Sequence, residues 1–515
     1  MHLLATTSGV VDGAAEAIDL KQPPGDIVIL SAADSELANL AGALDRLGDG
    51  FPQVRLANLM LLQHNYSVDL YCERTLAKAK LIVVRLLGGE SYWPYGVASL
   101  TALAAETGAK LAILPGGSTP DPATSALSTI APAEAERLRQ YFAQGGPENA
   151  VALLQYCAAL LSGEGDVPLP QSFPPAAVYR TDAGTAGRIG ILFYRSLTEG
   201  GQTKPVDLLC EELSASGLAV SALYIASLKD GASQSLIRDT WSDAPPDVII
   251  NATAFAVGEE SQDPLALFDC PVLQVTLAGS AEQDWRSSAR GLGAKDLAMS
   301  VVLPELDGRI ATRALSFKAD AQWHARSHCR IVTYAPVPDR IAFVADLAAN
   351  WTSLRHTEAR DRRTAIILAN YPNKDGRIAN GVGYDTPAST IAILNALAAD
   401  GYDVRDVLES GNALIEALQA GRTNAASCKT SAIALPLADY VSHFNALPPE
   451  ARAALEARWG APEKDPFVMG DAFQLPLLQF GNVVVGIQPA RGYNIDPKAT
   501  YHDPALVPPH GYLAT

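Results

Sequence analysis

The chain has 515 residues, 48% of them hydrophobic and 18% charged, and a formal net charge of −17. Such a composition supports large buried cores and excludes a disordered chain. The acidic balance argues against nucleic acid as a partner, because a polyanion is repelled overall.

At roughly 100–200 residues per domain, the length accommodates about three domains. Six cysteines, at 72, 157, 210, 270, 329 and 428, stand singly without a CxxC pair, as buried thiols do in a reducing cytosol. The opening MHLLATTSGVVDGAAEA lacks a basic segment and a sustained apolar core, so no signal peptide is expected. A cytoplasmic protein is the reading.

DIVIL (26–30) predicts a strand, followed by a helix through SELANLAGALDRLG. KLIVVRLLGG (80–89) and KLAILPGG (110–117) predict further strands, with a helix near VASLTALAAETG between them. Continuous apolar runs alternating with helices are the pattern of βαβ units with a parallel sheet buried on both faces. Glu90, Tyr92 and Trp93 follow the second strand and either line a ring-binding cleft or pack the first βαβ unit. VALLQYCAALL (151–161) is too short to span a bilayer and reads as a buried helix.

This first α/β domain is placed at 1–168, and the Pro-, Gly- and Ala-rich stretch 169–188 reads as a linker. A second, flavodoxin-like domain at 189–310 carries predicted strands at 189–194, 218–225, 246–254, 270–279 and 297–306. A locally basic connector spans 311–363. Within it WHARSHC (323–329) sets His324 and His328 four residues apart, one helical face, beside Cys329; no third ligand converges, so a structural role is the favoured reading. A third series, 364–515, opens with TAIILANYP and includes a predicted strand at 402–404. The fold class is therefore α/β: tandem doubly wound (flavodoxin-like) parallel sheets plus the start of a larger α/β domain.

NYPNKDGRIANGVGYDTPAST (370–390) is the most unusual loop. A helix follows over 385–401, with Asp385 or Thr386 as cap, Pro387 at its first turn and Gly401 at its stop. A strand, a glycine-rich loop and a helix N-terminus together suit an anion. The phosphate motifs nevertheless fail. Val382 and Gly383 stand where a P-loop needs Lys and Ser/Thr, and Thr386 breaks the dinucleotide fingerprint. A long turn needing positive φ is the bland reading; the excess of Asn, Lys, Asp and Arg argues for a polar-lined cavity or interface.

VVRLLGGESYWPYGV (83–97), ANYPNKDGRIANGVGYDTPAS (369–389) and FGNVVVGIQPARGYNIDPKATYHDPALVPPHGYLA (480–514) together resemble the family of CobN, the large subunit of aerobic cobaltochelatase, and the H-type large subunit of magnesium chelatase. The TYHDP form of the last motif resembles the cobalt branch more than the magnesium branch. The resemblance implies insertion of Co²⁺ into hydrogenobyrinic acid a,c-diamide in cobalamin biosynthesis. ATP and Mg²⁺ would be used by separate AAA+-type subunits, CobS and CobT, which agrees with the failed P-loop. Members of the family are more than twice this length and carry candidate catalytic His and Glu residues in a later segment. This chain thus reads as an N-terminal part that would not chelate alone.

A carboxylated ring needs basic anchors. Lys374, Arg377 and Arg491 are the candidates, with Asn373 and Tyr371 beside them; internal salt bridges are the alternative. Histidine suits Co²⁺, which makes His502 and His510 metal candidates, with Asp503 able to orient His502; hydrogen bonds locking a Pro-rich loop are the alternative. His510, His502 and Asp385 are also weak catalytic candidates, and Asp375 could act as a base, although capping explains Asp385. Two other readings stay open: a magnesium chelatase H-type subunit acting on protoporphyrin IX, and a non-catalytic tetrapyrrole-binding or scaffold module.

Overall fold

The computed structural model describes residues 16–86, 88–116, 121–163, 165–258, 263–319, 321–425, 429–493, 503 and 505–515, which fall into two compact units, 1–355 and 356–515. The first unit begins with a parallel sheet of β1 (Ile27–Ser31), β2 (Val54–Asn58), β3 (Leu81–Leu86) and β4 (Lys110–Pro115), ordered β2-β1-β3-β4. Alternate residues of β1 enter two separate cores. Ile27 and Ile29 pack with helices Asp34–Asp45, Pro132–Gln144 and Pro147–Ser162, whereas Val28 and Leu30 pack with helices Asn65–Arg74 and Pro94–Thr107. A sheet covered on both faces has this division. The apolar run at 151–161 is a buried helix as expected, with Leu154 and Cys157 fully enclosed.

Strand β2 escaped prediction because VRLAN contains a charge. Arg55 is buried there, its guanidinium satisfied by the carbonyls of Pro23, Val54 and Pro24 at 2.9, 2.9 and 2.8 Å. Trp93 packs the first βαβ unit. It is buried, donates from Nε1 to Leu62 O at 2.8 Å, and leaves no room at Gly96, where a Cβ would lie 2.0 Å from its ring. Glu90 and Tyr92 stay exposed on the adjoining turn.

The second sheet of this unit contains β5 (Ala176–Asp182), β6 (Arg188–Tyr194), β7 (Ala219–Ile225), β8 (Val248–Asn251), β9 (Val272–Ala281) and β10 (Ile310–Lys318). A hairpin of β11 (Gln322–His324) and β12 (Cys329–Ile331) leaves it before β13 (Tyr334–Pro336) closes the edge. The order is β13-β10-β9-β8-β6-β7-β5, with β6 to β10 parallel and both outer strands antiparallel.

Three expectations change here. Residues 169–188 supply the edge strand β5 as well as a link. Residues 311–363 supply most of β10, the hairpin, β13 and helix Pro338–His356, which packs Ile341, Val344 and Ala348 on the sheet. The run LAMSVVLPEL (297–306) is helical rather than a strand, since an apolar run this short has no decisive period. Its place in the sheet is taken by β10, after a turn at Gly308 with φ +72°.

WHARSHC is likewise a hairpin and not a helical face; His328 has φ +51°. It clasps the first sheet. Leu56 N donates to Ser327 O at 3.2 Å, His324 Nε2 meets Asp45 Oδ1 at 2.9 Å, and Arg326 caps helix Asp34–Asp45 at Leu44 O and reaches on to Leu47 O and Gly48 O at 2.8 and 3.2 Å.

The second unit holds two small sheets. β14 (Thr364–Leu368) begins one; β15 (Ile433–Pro436), β16 (Val468–Met469) and β17 (Ala472–Leu475) form the other, ordered β15-β17-β16. β18 (Leu477–Phe480) and β19 (Val483–Ile487) complete the first, ordered β14-β19-β18, with β14 parallel to β19. Helices Thr386–Ala399 and Gly411–Ala420 pack Leu394, Leu414 and Leu418 against Leu368 and Val485. The strand expected at 402–404 is absent. The chain turns there, and Asp403 O accepts one bond, from Asn482 N at 2.8 Å, too little for a ladder.

Candidate functional site

β14 delivers the loop 369–385 at its carboxyl end, where open α/β sheets place ligands. Its floor is polar and buried. Asn370 is 3% exposed; its Nδ2 donates to Lys374 O at 3.0 Å, and its Oδ1 accepts from Asn424 Nδ2 at 2.7 Å. Asn424 also donates to Gln488 O at 2.9 Å and accepts from Ala490 N at 3.0 Å. Two asparagines therefore join the loop, the 422–425 turn and the start of the last motif. Asp375 serves the same framework. Its Oδ1 accepts from Thr423 Oγ1 at 2.6 Å, and its carbonyl accepts from Gln419 Nε2 at 3.1 Å. Ala379, buried at φ +59°, is held in a conformation non-glycine residues seldom adopt by a bond from its N to Ala369 O at 2.8 Å.

Over this floor the loop presents Tyr371 (48% exposed), Val382 (94%) and Tyr384 (80%). Lys374 and Arg377 are exposed beside them, and Asn373 is half-buried. Asp385 caps the following helix, accepting from Ala388 N at 3.1 Å. The cap fills the N-terminus that an anion would otherwise take, so cationic side chains are the anion-seeking groups of this loop.

The last motif is built around two buried groups. Asp465 accepts from Phe467 N at 2.8 Å, Gly511 N at 3.0 Å and Tyr493 Oη at 3.2 Å. Burial first, and Asp465 second, push the Tyr493 phenol far above its ordinary range. Gly511 is obligatory, since a Cβ would meet Tyr493 Oη at 2.6 Å. His510 is fully buried, its Nδ1 2.8 Å from Tyr440 Oη and its Nε2 2.9 Å from Gly460 O. A carbonyl can only accept, so Nε2 carries the proton and Nδ1 accepts from the tyrosine. Both ring nitrogens are occupied, and in this arrangement His510 has no lone pair for a metal. Arg491 is half-buried and donates to Leu506 O at 3.4 Å; no ion pair joins it to a carboxylate among the described residues. His502 lies outside the described residues. Among the described residues no group of three His, Cys, Asp or Glu could hold a metal ion, and no helix is long and apolar enough to cross a membrane.

Asn424, Asp465 and Tyr440 carry this framework without having been anticipated. Single polar residues in GRTNAAS or EKDPF have no spacing signal; only the contacts reveal them. In the first unit a small, partly open cleft is lined by Ser35, Glu36, Asn39, Tyr141, Phe142 and Glu199, among others. Its charges are already matched: Arg85 with Glu36 at 3.0 Å, Arg195 with Glu199 at 2.6 Å. Burial pushes the Glu199 carboxyl up, with Arg195 opposing.

Fold and loop together define a class: tandem doubly wound α/β chains that present a tyrosine- and cation-lined loop without a phosphate-binding motif. The chain belongs to the CobN/magnesium chelatase family, whose model matches residues 139–515. It is 46% identical to the aerobic cobaltochelatase subunit CobN of a Sinorhizobium species and 42% identical to that of Pseudomonas aeruginosa, in each case over 100% of this chain and 42% and 43% of the relative. Identity to the H-type magnesium-chelatase subunit of Rhodobacter capsulatus is 26%, over 78% of this chain and 37% of the relative. The solved catalytic subunit of cobaltochelatase from Mycobacterium tuberculosis superposes with a TM-score of 0.73 at 28% identity, covering 96% of this chain and 41% of that one. The chain thus spans less than half the length of these relatives.

Proposed function

We propose that this chain forms part of the ring-handling subunit of an ATP-dependent cobaltochelatase. The complex inserts Co²⁺ into hydrogenobyrinic acid a,c-diamide during aerobic cobalamin biosynthesis in the cytoplasm. The carrying observation is the loop 369–385, which holds Tyr371, Val382 and Tyr384 in solvent beside Lys374 and Arg377 on an asparagine-bonded floor. Apolar faces next to cations suit a flat macrocycle edged with carboxylates. Insertion requires three things: the ring held, its N–H protons removed, and the metal released from weak ligands. The loop's side chains fit the first. Co²⁺ is the substrate metal; ATP and Mg²⁺ act on AAA+-type partners of the CobS and CobT kind. Greater identity to the cobalt relatives than to the magnesium one favours a corrinoid over protoporphyrin IX.

Titration of the 515-residue chain with metal-free hydrogenobyrinic diamide, and separately with protoporphyrin IX, tests the reading through the ligands' absorbance. Saturable corrinoid binding that weakens about tenfold in Lys374→Ala/Arg377→Ala is expected, the loss of two charged contacts. Binding of the porphyrin alone would transfer the chain to the magnesium branch. Absence of both would refute a ring site here.

A further inference from the structure

The mixed sheet β14-β19-β18 is exposed along β14, a strand whose composition suits cover on both faces. TAIIL is apolar on both faces, the chemistry of a central strand, yet among the described residues β14 pairs with β19 alone and forms the sheet's edge. Ile366 and Leu368 face the helices; Ala365 and Ile367 face the other way and are exposed, Ile367 at 47%. Thr364 N donates toward β19, to Asn482 O at 3.1 Å. Alternation then turns the N–H groups of Ala365 and Ile367 to the open edge. The strand itself carries none of the usual protections of an edge: no charge, no proline and no bulge. The overlying helix Thr386–Ala399 repeats the pattern. It is apolar nearly all round, as buried helices are, yet Ala392, Ile393 and Ala396 are exposed.

We infer that the β14 edge and its Ala365/Ile367 face receive a further βα unit, a parallel strand on the edge and a helix over the face. It comes from the polypeptide that this chain's relatives have and this chain does not span. A strand supplies partners for the two outward-turned N–H groups, and a right-handed crossover helix covers the exposed face. The relatives leave more than half their length for that role, since this chain matches 42% and 43% of them. A second copy of this chain is the competing occupant; its own β14 would pair antiparallel across a two-fold axis.

The test is amide hydrogen exchange at residues 364–368. It compares the 515-residue chain alone with a full-length chimera in which the chain replaces the matching part of the Sinorhizobium relative. In the chain alone, Ala365 and Ile367 should exchange freely; in the chimera they should slow about 100-fold or more, as amides in a ladder do. Ile367→Asp in the chimera should restore fast exchange at 365 and 367, while Asp403→Asn, outside the edge, should not. Equal exchange in both proteins would overturn the inference. So would slow exchange in the chain alone together with a dimer by sedimentation, which would assign the edge to a second copy. Corrinoid titration of the same chimera keeps this result separate from the loop's ring binding.

Discussion

His510 shows how a residue type can mislead. Its place in the last motif suits a metal ligand, but its environment makes it a strut, with one ring nitrogen accepting from Tyr440, the other donating to Gly460, and Phe444 edge-on at 5.1 Å. Substituting alanine opens a cavity and leaves a buried hydroxyl and a carbonyl unpaired. His510→Ala should therefore lose about 2–4 kcal/mol in urea unfolding, without altering Co²⁺ affinity. A weaker metal interaction at unchanged stability would restore the ligand reading. Lys374 and Arg377 are the opposite case, since both side chains face solvent. Asp375, between them in the chain, is spent on Thr423.

Among elements, helix Thr386–Ala399 was the most fully anticipated. Its cap, its first-turn proline and its stop at Gly401 are local signals, and all three are in place. Its orientation was not anticipated, because a helix apolar nearly all round does not announce which side is covered. Leu394 is fully buried and Ile393 is 47% exposed. Leu394→Ala should destabilise the chain by about 2–5 kcal/mol, and Ile393→Ala by no more than about 0.5 kcal/mol, both read from urea midpoints. Similar losses at both would mean that the outer face is covered in the chain as it stands. The misread elements share one cause. LAMSVVLPEL and WHARSHC are short, and a short segment takes its conformation from what its neighbours leave vacant.

At the scale of the molecule, three predicted domains resolve into two compact units. The boundary falls at 355/356 because β5, β10 and helix Pro338–His356, read as linker and connector, belong to the second sheet of the first unit. If the units fold independently, 1–355 and 356–515 made separately should each unfold cooperatively, with the smaller unit at the lower urea midpoint, since less core protects it. A shorter piece without near-ultraviolet circular dichroism would show instead that it needs the rest. By itself the sequence determined the α/β class, the first sheet's central strands, the helix caps and the family, because each rests on local periodicity, backbone preference or a long ordered motif. The edges of the sheets, the asparagine floor under the loop and the burial of His510 were decided only by tertiary structure. They depend on hydrogen bonds and packing between residues tens of positions apart, which leave no spacing in the chain to read.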